Sequence, residues 1–200
     1  MKPATQQGSL RIIAGKWRSR KISFAQLEEL RPTSNRIRET LFNWLQDRVG
    51  GANCLDLFAG SGACGIEALS RGASSVVFID SHRQATKLIA QNLASLGEEI
   101  IDIRCTDAMA WLESSESVGS QQYGIVFIDP PYSAGLEISC CTQLEKSGKL
   151  KKEALVYLES DKQLDLAELP ANWQTLKQKK AGAVNFYLFQ RVDPGSFEKA

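Results

Sequence analysis

The chain has 200 residues, 43% of them hydrophobic and 24% charged, with a formal net charge of +1. That length suits one α/β domain with its own core and a short extension, and the composition is that of a globular protein rather than a disordered or fibrous one. No apolar run approaches the roughly 20 residues of a membrane span. The polar, basic N-terminus lacks the apolar stretch of a secretory signal, so a cytoplasmic protein is expected, with no membrane partner.

The charge is uneven. Residues 1–50 hold ten Lys or Arg against four acids, while residues 51–200 hold fourteen against nineteen. A basic arm on a mildly acidic body suits a polyanionic partner met through one end of the molecule, or a solvated tail. The five cysteines form no C-x-x-C pair, and His82 is the only histidine. These spacings offer no zinc set and no other metal site, and are those of small thiols in a reducing compartment.

Taken in order, residues 1–9 read as disordered. Arg11-Ile12-Ile13 and Arg20 to Phe24 read as two short strands of a hairpin around Ala14-Gly15-Lys16-Trp17. Trp17 lies among Lys16, Arg18, Arg20 and Lys21. An aromatic among basic residues suits a phosphate backbone with one stacked base, or else the ring simply tucks the hairpin onto the body. Leu30-Arg31-Pro32-Thr33-Ser34 leads into a helix, capped by Thr33 or Ser34, that runs to about Leu45 or Gln46. Ile37, Leu41, Trp44 and Leu45 form its inward stripe. Arg36 and Arg38 lie off that stripe, either as solvated charges or as groups reaching a cofactor or RNA.

From residue 50 to 160 apolar strands alternate with helices. Cys54 to Phe58 is a first buried strand, running into a glycine-rich turn and a helix that ends at Gly72. Ser75 to Asp80 is a second strand, Gln84 to Leu96 an amphipathic helix, and Ile101 to Cys105 a weaker third strand. A short helix after Asp107-Ala108 holds Trp111. Tyr123 to Ile128 is a fourth strand, followed by a helix to about Leu144, and Ala154 to Glu159 is a fifth. Trp173 to Lys179 and Val184 to Arg191 alternate with a period of two and read as antiparallel closing strands joined at Gly182. The pattern specifies a doubly wound, mostly parallel sheet. The expected organisation is an arm and hairpin over residues 1–30, one domain over 31–192, and a tail over 193–200.

Two stretches carry chemistry. Gly60-x-Gly62-x-x-Gly65 opens a helix after the first strand, and Asp80 follows Gly60 by twenty residues at the end of the next strand. Glycines let the backbone approach a ligand, and the carboxylate accepts ribose hydroxyls, so the pair points to an adenosine-type cofactor; the bland alternative is a mere helix-start turn. Asp56 inside the first strand end would repel a pyrophosphate but attract an ammonium group, which favours S-adenosylmethionine over NAD. No Gly-Lys-Ser/Thr follows, so a P-loop is excluded. The second stretch is Asp129-Pro130-Pro131-Tyr132 at the end of the fourth strand, where open α/β sheets bind ligands. A carboxylate and the carbonyls before two prolines only accept hydrogen bonds, the prolines stiffen the corner, and Tyr132 adds a flat face. This set fits a planar group with an exocyclic amine.

With these residues in view, the chain resembles the class I S-adenosylmethionine-dependent methyltransferases of the amino-group type, marked by D/N/S-P-P-Y/F after strand four. More narrowly it resembles the RsmD family of bacterial 16S rRNA guanine-N2 methyltransferases. The matching stretches are Arg11 to Arg18, Leu30 to Thr33, Arg36 to Leu45, Asp56 to Arg71 and Asp129 to Tyr132. Two departures lie in the hairpin: Ala14 stands where the family has a second glycine, and Ser19 where glycine is usual before Arg20.

The resemblance implies a seven-stranded sheet, S-adenosylmethionine as donor and a guanine in small-subunit ribosomal RNA as acceptor, met as free RNA or in a ribonucleoprotein particle by a monomeric enzyme. It implies a cofactor site of Asp56, Phe58, Ala59, Gly60, Ser61, Gly62, Gly65, Asp80, Ser81, Asp107, Ala108 and Asp129. Within it Phe58 to Gly62 line the methionine end, Asp80 holds the ribose, and Asp107 and Ala108 border the adenine. Asp129 to Tyr132 hold the target base. RNA would be met by Arg11, Lys16, Trp17, Arg18, Arg20, Lys21, Arg31, Thr33, Arg36 and Arg38. Rival readings are an amino-methyltransferase acting on adenine in RNA or DNA or on protein glutamine, an NAD(P) oxidoreductase, and a catalytically silent RNA-binding module.

Overall fold

The computed structural model describes residues 7–25, 35–99, 102–114, 121–131 and 134–192. The elements are β1 (Gln7–Arg11), β2 (Lys21–Ala25), α1 (Asn35–Trp44), β3 (Asn53–Asp56), α2 (Ala63–Ser70), β4 (Ser75–Asp80), α3 (Arg83–Ser95), β5 (Asp102–Cys105), α4 (Ala108–Glu113), β6 (Tyr123–Ile128), α5 (Glu137–Lys146), β7 (Leu150–Ser160), β8 (Trp173–Ala181) and β9 (Val184–Arg191). β1 and β2 form a two-stranded sheet of their own; the other seven are ordered β5-β4-β3-β6-β7-β9-β8. This is the expected mostly parallel α/β sheet, closed by two antiparallel strands.

The chain divides into two compact units, residues 1–108 and 109–200. In the first, β3 pairs in parallel with β4 (Asp56↔Phe78), and β4 with β5 (Asp80↔Cys105). Runs such as Val76-Val77-Phe78-Ile79 are buried throughout, as expected for strands covered on both faces. In the second, β6 pairs in parallel with β7, which pairs antiparallel with β9, and β9 with β8. Gly182, at φ 62, makes the turn between β8 and β9.

The N-terminal hairpin begins earlier than the sequence suggests. Gln7 pairs with Ala25 and Arg11 with Lys21, so residues 7–9 are a strand. Ile12 to Arg20 form the connection, held by Ile12 N donating to Arg20 O (3.0 Å) and Ser19 N to Ile12 O (2.9 Å). Ser19 adopts φ 68. This is the left-handed region that costs a side-chain-bearing residue about 1–2 kcal/mol, and it gives a physical reason for glycine in the family at this position.

The hairpin docks on α2. Glu67, buried, accepts from Ile13 N (2.8 Å), Ala14 N (3.0 Å) and Arg71 Nε (2.7 Å). Ser70 Oγ donates to Ala14 O (2.6 Å) and accepts from Trp17 N (3.0 Å), and Lys16 N donates to Ser70 O (2.7 Å). Gly15, at φ 83, comes so close that a Cβ there would lie 1.8 Å from Ser70 O.

Two residues assigned to RNA from sequence are interior instead. Trp17 is 7% exposed, with Lys16 Nζ 4.2 Å from its ring centroid. The ring tucks the hairpin onto the unit and offers no face to a base. Arg38 is 0% exposed and donates from Nη2 to Arg11 O and Asn35 Oδ1. Burial lowers its pKa, opposed by neighbouring Cys64 and Glu67. Its Nε and Nη1 are buried with no hydrogen-bond partner among the described residues.

Four of the five cysteines are buried free thiols and Cys105 is exposed. Burial pushes Cys54 and Cys140 up to about 12, so both are protonated thiols. Among the described residues no helix is long and apolar enough to cross a membrane.

Candidate functional site

In the first unit, three neighbouring parallel strands end together, and their C-terminal ends carry the expected cofactor residues. β3 ends at Asp56, β4 at Asp80, and β5 is followed by Asp107 and Ala108. The glycine turn leaves β3 over residues 57–62 and is tied to β4 by Ala59 N donating to Ile79 O (2.8 Å). Gly60 and Gly62 take φ 52 and 73, a conformation that glycine adopts without a Cβ penalty. Gly62 N donates to Ala59 O (2.6 Å), closing the turn as α2 begins.

Two of the turn's backbone donors are already occupied by carboxylates. Gly60 N donates to Asp80 Oδ2 (2.7 Å), and Gly65 N donates to Asp56 Oδ2 (2.9 Å). In a dinucleotide site such amides at a helix start receive the pyrophosphate. Here they anchor acids, so the turn is lined by carboxyl acceptors. Asp80 is 8% exposed and its other oxygen accepts from His82 N (2.7 Å), with His82 Nδ1 3.2 Å away. Asp56 is 5% exposed. Burial raises its pKa to about 7, against the Gly65 N–H, which lowers it, and with Asp80, whose charge raises it further.

Phe58 and Ser61 are half-buried, Ser81 and Asp107 exposed, and Ala59 and Ala108 buried. Thr106 N donates to Asp80 O (3.0 Å), and the Cys105 thiol lies 3.8 Å from Ser81 O, so the β4 and β5 ends are stitched together. Gly65 needs correcting as a ligand contact. A Cβ there would sit 2.2 Å from Phe78 Cε1, and its amide holds Asp56. It packs α2 against β4. Sequence reasoning missed Glu67 and Ser70, which couple the hairpin to the helix that the glycine turn opens; buried polar residues inside an apolar helix were the available signal.

In the second unit, Asp129 follows β6 directly, where Ile128 pairs with Leu158 of β7. Asp129 is half-buried, Pro130 buried and Pro131 half-buried. Ala134 N donates to Pro131 O (2.9 Å). Tyr132, Arg31 and Thr33 lie outside the described residues. Of the remaining basic residues assigned to RNA, Arg11, Lys16, Arg18, Arg20, Lys21 and Arg36 are exposed. Lys16 pairs with Glu98 (2.9 Å), and Arg20 Nη2 donates to Ser95 O (2.9 Å).

The chain matches the family model described as Conserved hypothetical protein 95 over residues 10–190. It is 42% identical over 188 residues to ribosomal RNA small subunit methyltransferase D of Escherichia coli, covering 94% of this chain and 93% of that one. The protein of the same name from Haemophilus influenzae is 38% identical over 186 residues, covering 92% and 95%. The solved structure of yhhF from Escherichia coli superposes with a TM-score of 0.82 at 42% identity, covering 92% of this chain and 99% of that one. The chain therefore belongs to the RsmD family, the family of ribosomal RNA small subunit methyltransferase D.

Proposed function

We propose that the protein transfers a methyl group from S-adenosylmethionine to the exocyclic N2 amine of a guanine in small-subunit ribosomal RNA. The observation that carries the cofactor is the occupation of the Gly60 and Gly65 amides by Asp80 and Asp56. Such a turn offers acceptors, which suit ribose hydroxyls and an ammonium group and oppose a pyrophosphate. When bound, S-adenosylmethionine supplies an electrophilic methyl group on a sulfonium. Asp80 accepts the ribose hydroxyls, Asp56 and the 58–62 turn hold the amino-acid end, and Asp107 and Ala108 border the adenine. The family membership supports the acceptor, and the relatives' names supply its RNA.

The N2 lone pair of guanine is delocalised into the ring and is weakly nucleophilic. Asp129 and the Pro130 carbonyl accept its two N–H bonds, orienting the nitrogen and stabilising positive charge as it becomes tetrahedral. Once methylated, the nitrogen gives up one of these protons to the Asp129 carboxylate, which passes it to solvent. Tyr132 stacks on the base. The exposed arginines and lysines of residues 11–21 and Arg36 meet phosphates, which offsets the few kcal/mol needed to flip a paired base out. The protein acts in the cytoplasm as a monomer, on free RNA or on a ribonucleoprotein particle.

The test is Asp129→Ala. Turnover on small-subunit rRNA is expected to fall about 100- to 1000-fold, while S-adenosylmethionine affinity, to which Asp129 is one expected contact among several, falls far less and largely survives by calorimetry. Near-normal methylation sinks the role of Asp129. Nucleoside analysis of rRNA from cells lacking the protein should show one N2-methylguanosine lost; a lost methyladenosine would reassign the acceptor.

A further inference from the structure

We propose that the β8 edge of the second unit is a second RNA-backbone surface, which holds the phosphates flanking the target nucleotide. The proposal rests on the reading that Asp129 holds the target base. Register connects the two places. Ile128 pairs with Leu158, Leu158 with Tyr187, and Tyr187 with Gln178. The next rows run Glu159↔Phe186↔Lys179 and Ser160↔Asn185↔Lys180. Asp129, one residue past Ile128, therefore shares its end of the sheet with Lys179 and Lys180. Three strand spacings separate them, about 14 Å, a distance that a few nucleotides cover.

β8 is the last strand in the sheet order, and every residue from Gln174 to Lys180 is exposed. Residues 173–191 contain Lys177, Lys179, Lys180 and Arg191 but no Asp or Glu, within a half of the chain that is acidic overall. Arg191 is held by Glu145 (2.9 Å), whereas Lys177, Lys179 and Lys180 form no ion pair among the described residues. Lysines on an edge strand also guard against edge-to-edge pairing. A guard would protect the whole strand, yet Gln174, Thr175 and Leu176 are uncharged and all three lysines fall in residues 177–180, toward the Asp129 end. That asymmetry, with the charge sign, selects a phosphodiester backbone as occupant.

The test uses the full chain carrying Lys177→Gln, Lys179→Gln and Lys180→Gln together, with a labelled 16S rRNA transcript as probe. A control carries Lys151→Gln and Lys152→Gln, exposed in the bulge at the other end of β7. Filter binding between about 50 and 200 mM salt should show the triple variant losing tenfold or more in affinity. Its log K against log[salt] slope should be shallower by about 2, at roughly 0.7 per single-strand phosphate contact. The control should keep the wild-type slope, and cofactor affinity should be unchanged in both. An unchanged slope in the triple variant overturns the surface, as does an equal loss in the control, and so does aggregation of the triple variant with normal RNA binding. Because binding is read without turnover, a wild-type protein that binds rRNA but methylates no guanine would instead sink the proposed function.

Discussion

The Gly60 amide and the Asp80 carboxylate meet at 2.7 Å across twenty residues of chain. One acid thus closes the cofactor turn onto β4 and presents its remaining lone pairs at the strand end. Asp80→Ala is expected to remove the clamp on the turn and, with it, the proposed ribose contact. At about 1.5–3 kcal/mol for hydrogen bonds to a charged acceptor, S-adenosylmethionine affinity should drop roughly 10- to 150-fold, read by calorimetry. Asp80→Asn, with one acceptor oxygen in place of two, should fall between. Wild-type affinity in Asp80→Ala would remove the residue from the site.

If Asp56 holds the ammonium end of S-adenosylmethionine as proposed, cofactor affinity is expected to depend on pH. The Asp56 pKa is raised from 3.8 to about 7, chiefly by burial. The folded protein therefore carries the proton between those values while the unfolded chain does not. Stability should fall with rising pH across that window, by about 1.4 kcal/mol per unit at most. Binding of a ligand bearing an ammonium needs the ionised form, so affinity should rise toward pH 7, level off above it, and release a proton near neutrality. Calorimetry in two buffers of different ionisation enthalpy measures that proton. Asp56→Asn should flatten both profiles; an unaltered pH profile in this variant would place the titration elsewhere.

The sheet, its closing strands and the two acidic strand ends were legible because apolar runs and a glycine turn follow directly from burial and backbone geometry. Which way a polar residue faces was not. Along α1 and the residue that follows it, Arg38, Leu41, Phe42 and Leu45 are all 0% exposed and recur at i, i+3, i+4 and i+7, the spacing of an inward stripe. Charge argued Arg38 off that stripe, and Trp44, taken as part of it, is only half-buried. For Trp17 the sequence leaves stacking on a base and tucking of the hairpin both open, since basic neighbours say nothing about the side on which a ring packs, and its burial selects the second. Glu67 and Gly65 act through long-range partners, Ile13 and Phe78, which no local pattern reveals.

Glu67 fixes the hairpin that carries the exposed basic residues. Glu67 Oε2 accepts from Ile13 N, and Oε1 from Ala14 N and Arg71 Nε, so Glu67→Gln sets an NH2 against at least the Ile13 amide, and an unsatisfied buried donor costs about 1–3 kcal/mol. The expected outcome is faster proteolysis within residues 7–25 and a raised KM for rRNA, with S-adenosylmethionine affinity nearly unchanged. If the arm stays protease-resistant and KM does not move, docking does not depend on this acid. Gly15→Ala should act in the same direction more severely, because its Cβ would meet the Ser70 carbonyl at 1.8 Å and no side-chain movement can relieve a backbone clash.

Ser19 offers the opposite kind of change. At φ 68 it pays a left-handed penalty that glycine escapes. Its side chain is exposed, while its backbone amide holds Ile12 O and its carbonyl receives Arg11 Nη1 (3.1 Å). Ser19→Gly keeps both backbone bonds and relieves the strain. Set against the greater chain entropy of glycine in the unfolded state, the net gain should be about 0.5–1 kcal/mol. Urea denaturation should show a higher midpoint with an unchanged m-value. Ser19→Val, which brings a β-branched residue into the same conformation, should be destabilised. If both variants unfold at the wild-type midpoint, the turn is not held in the left-handed region in solution.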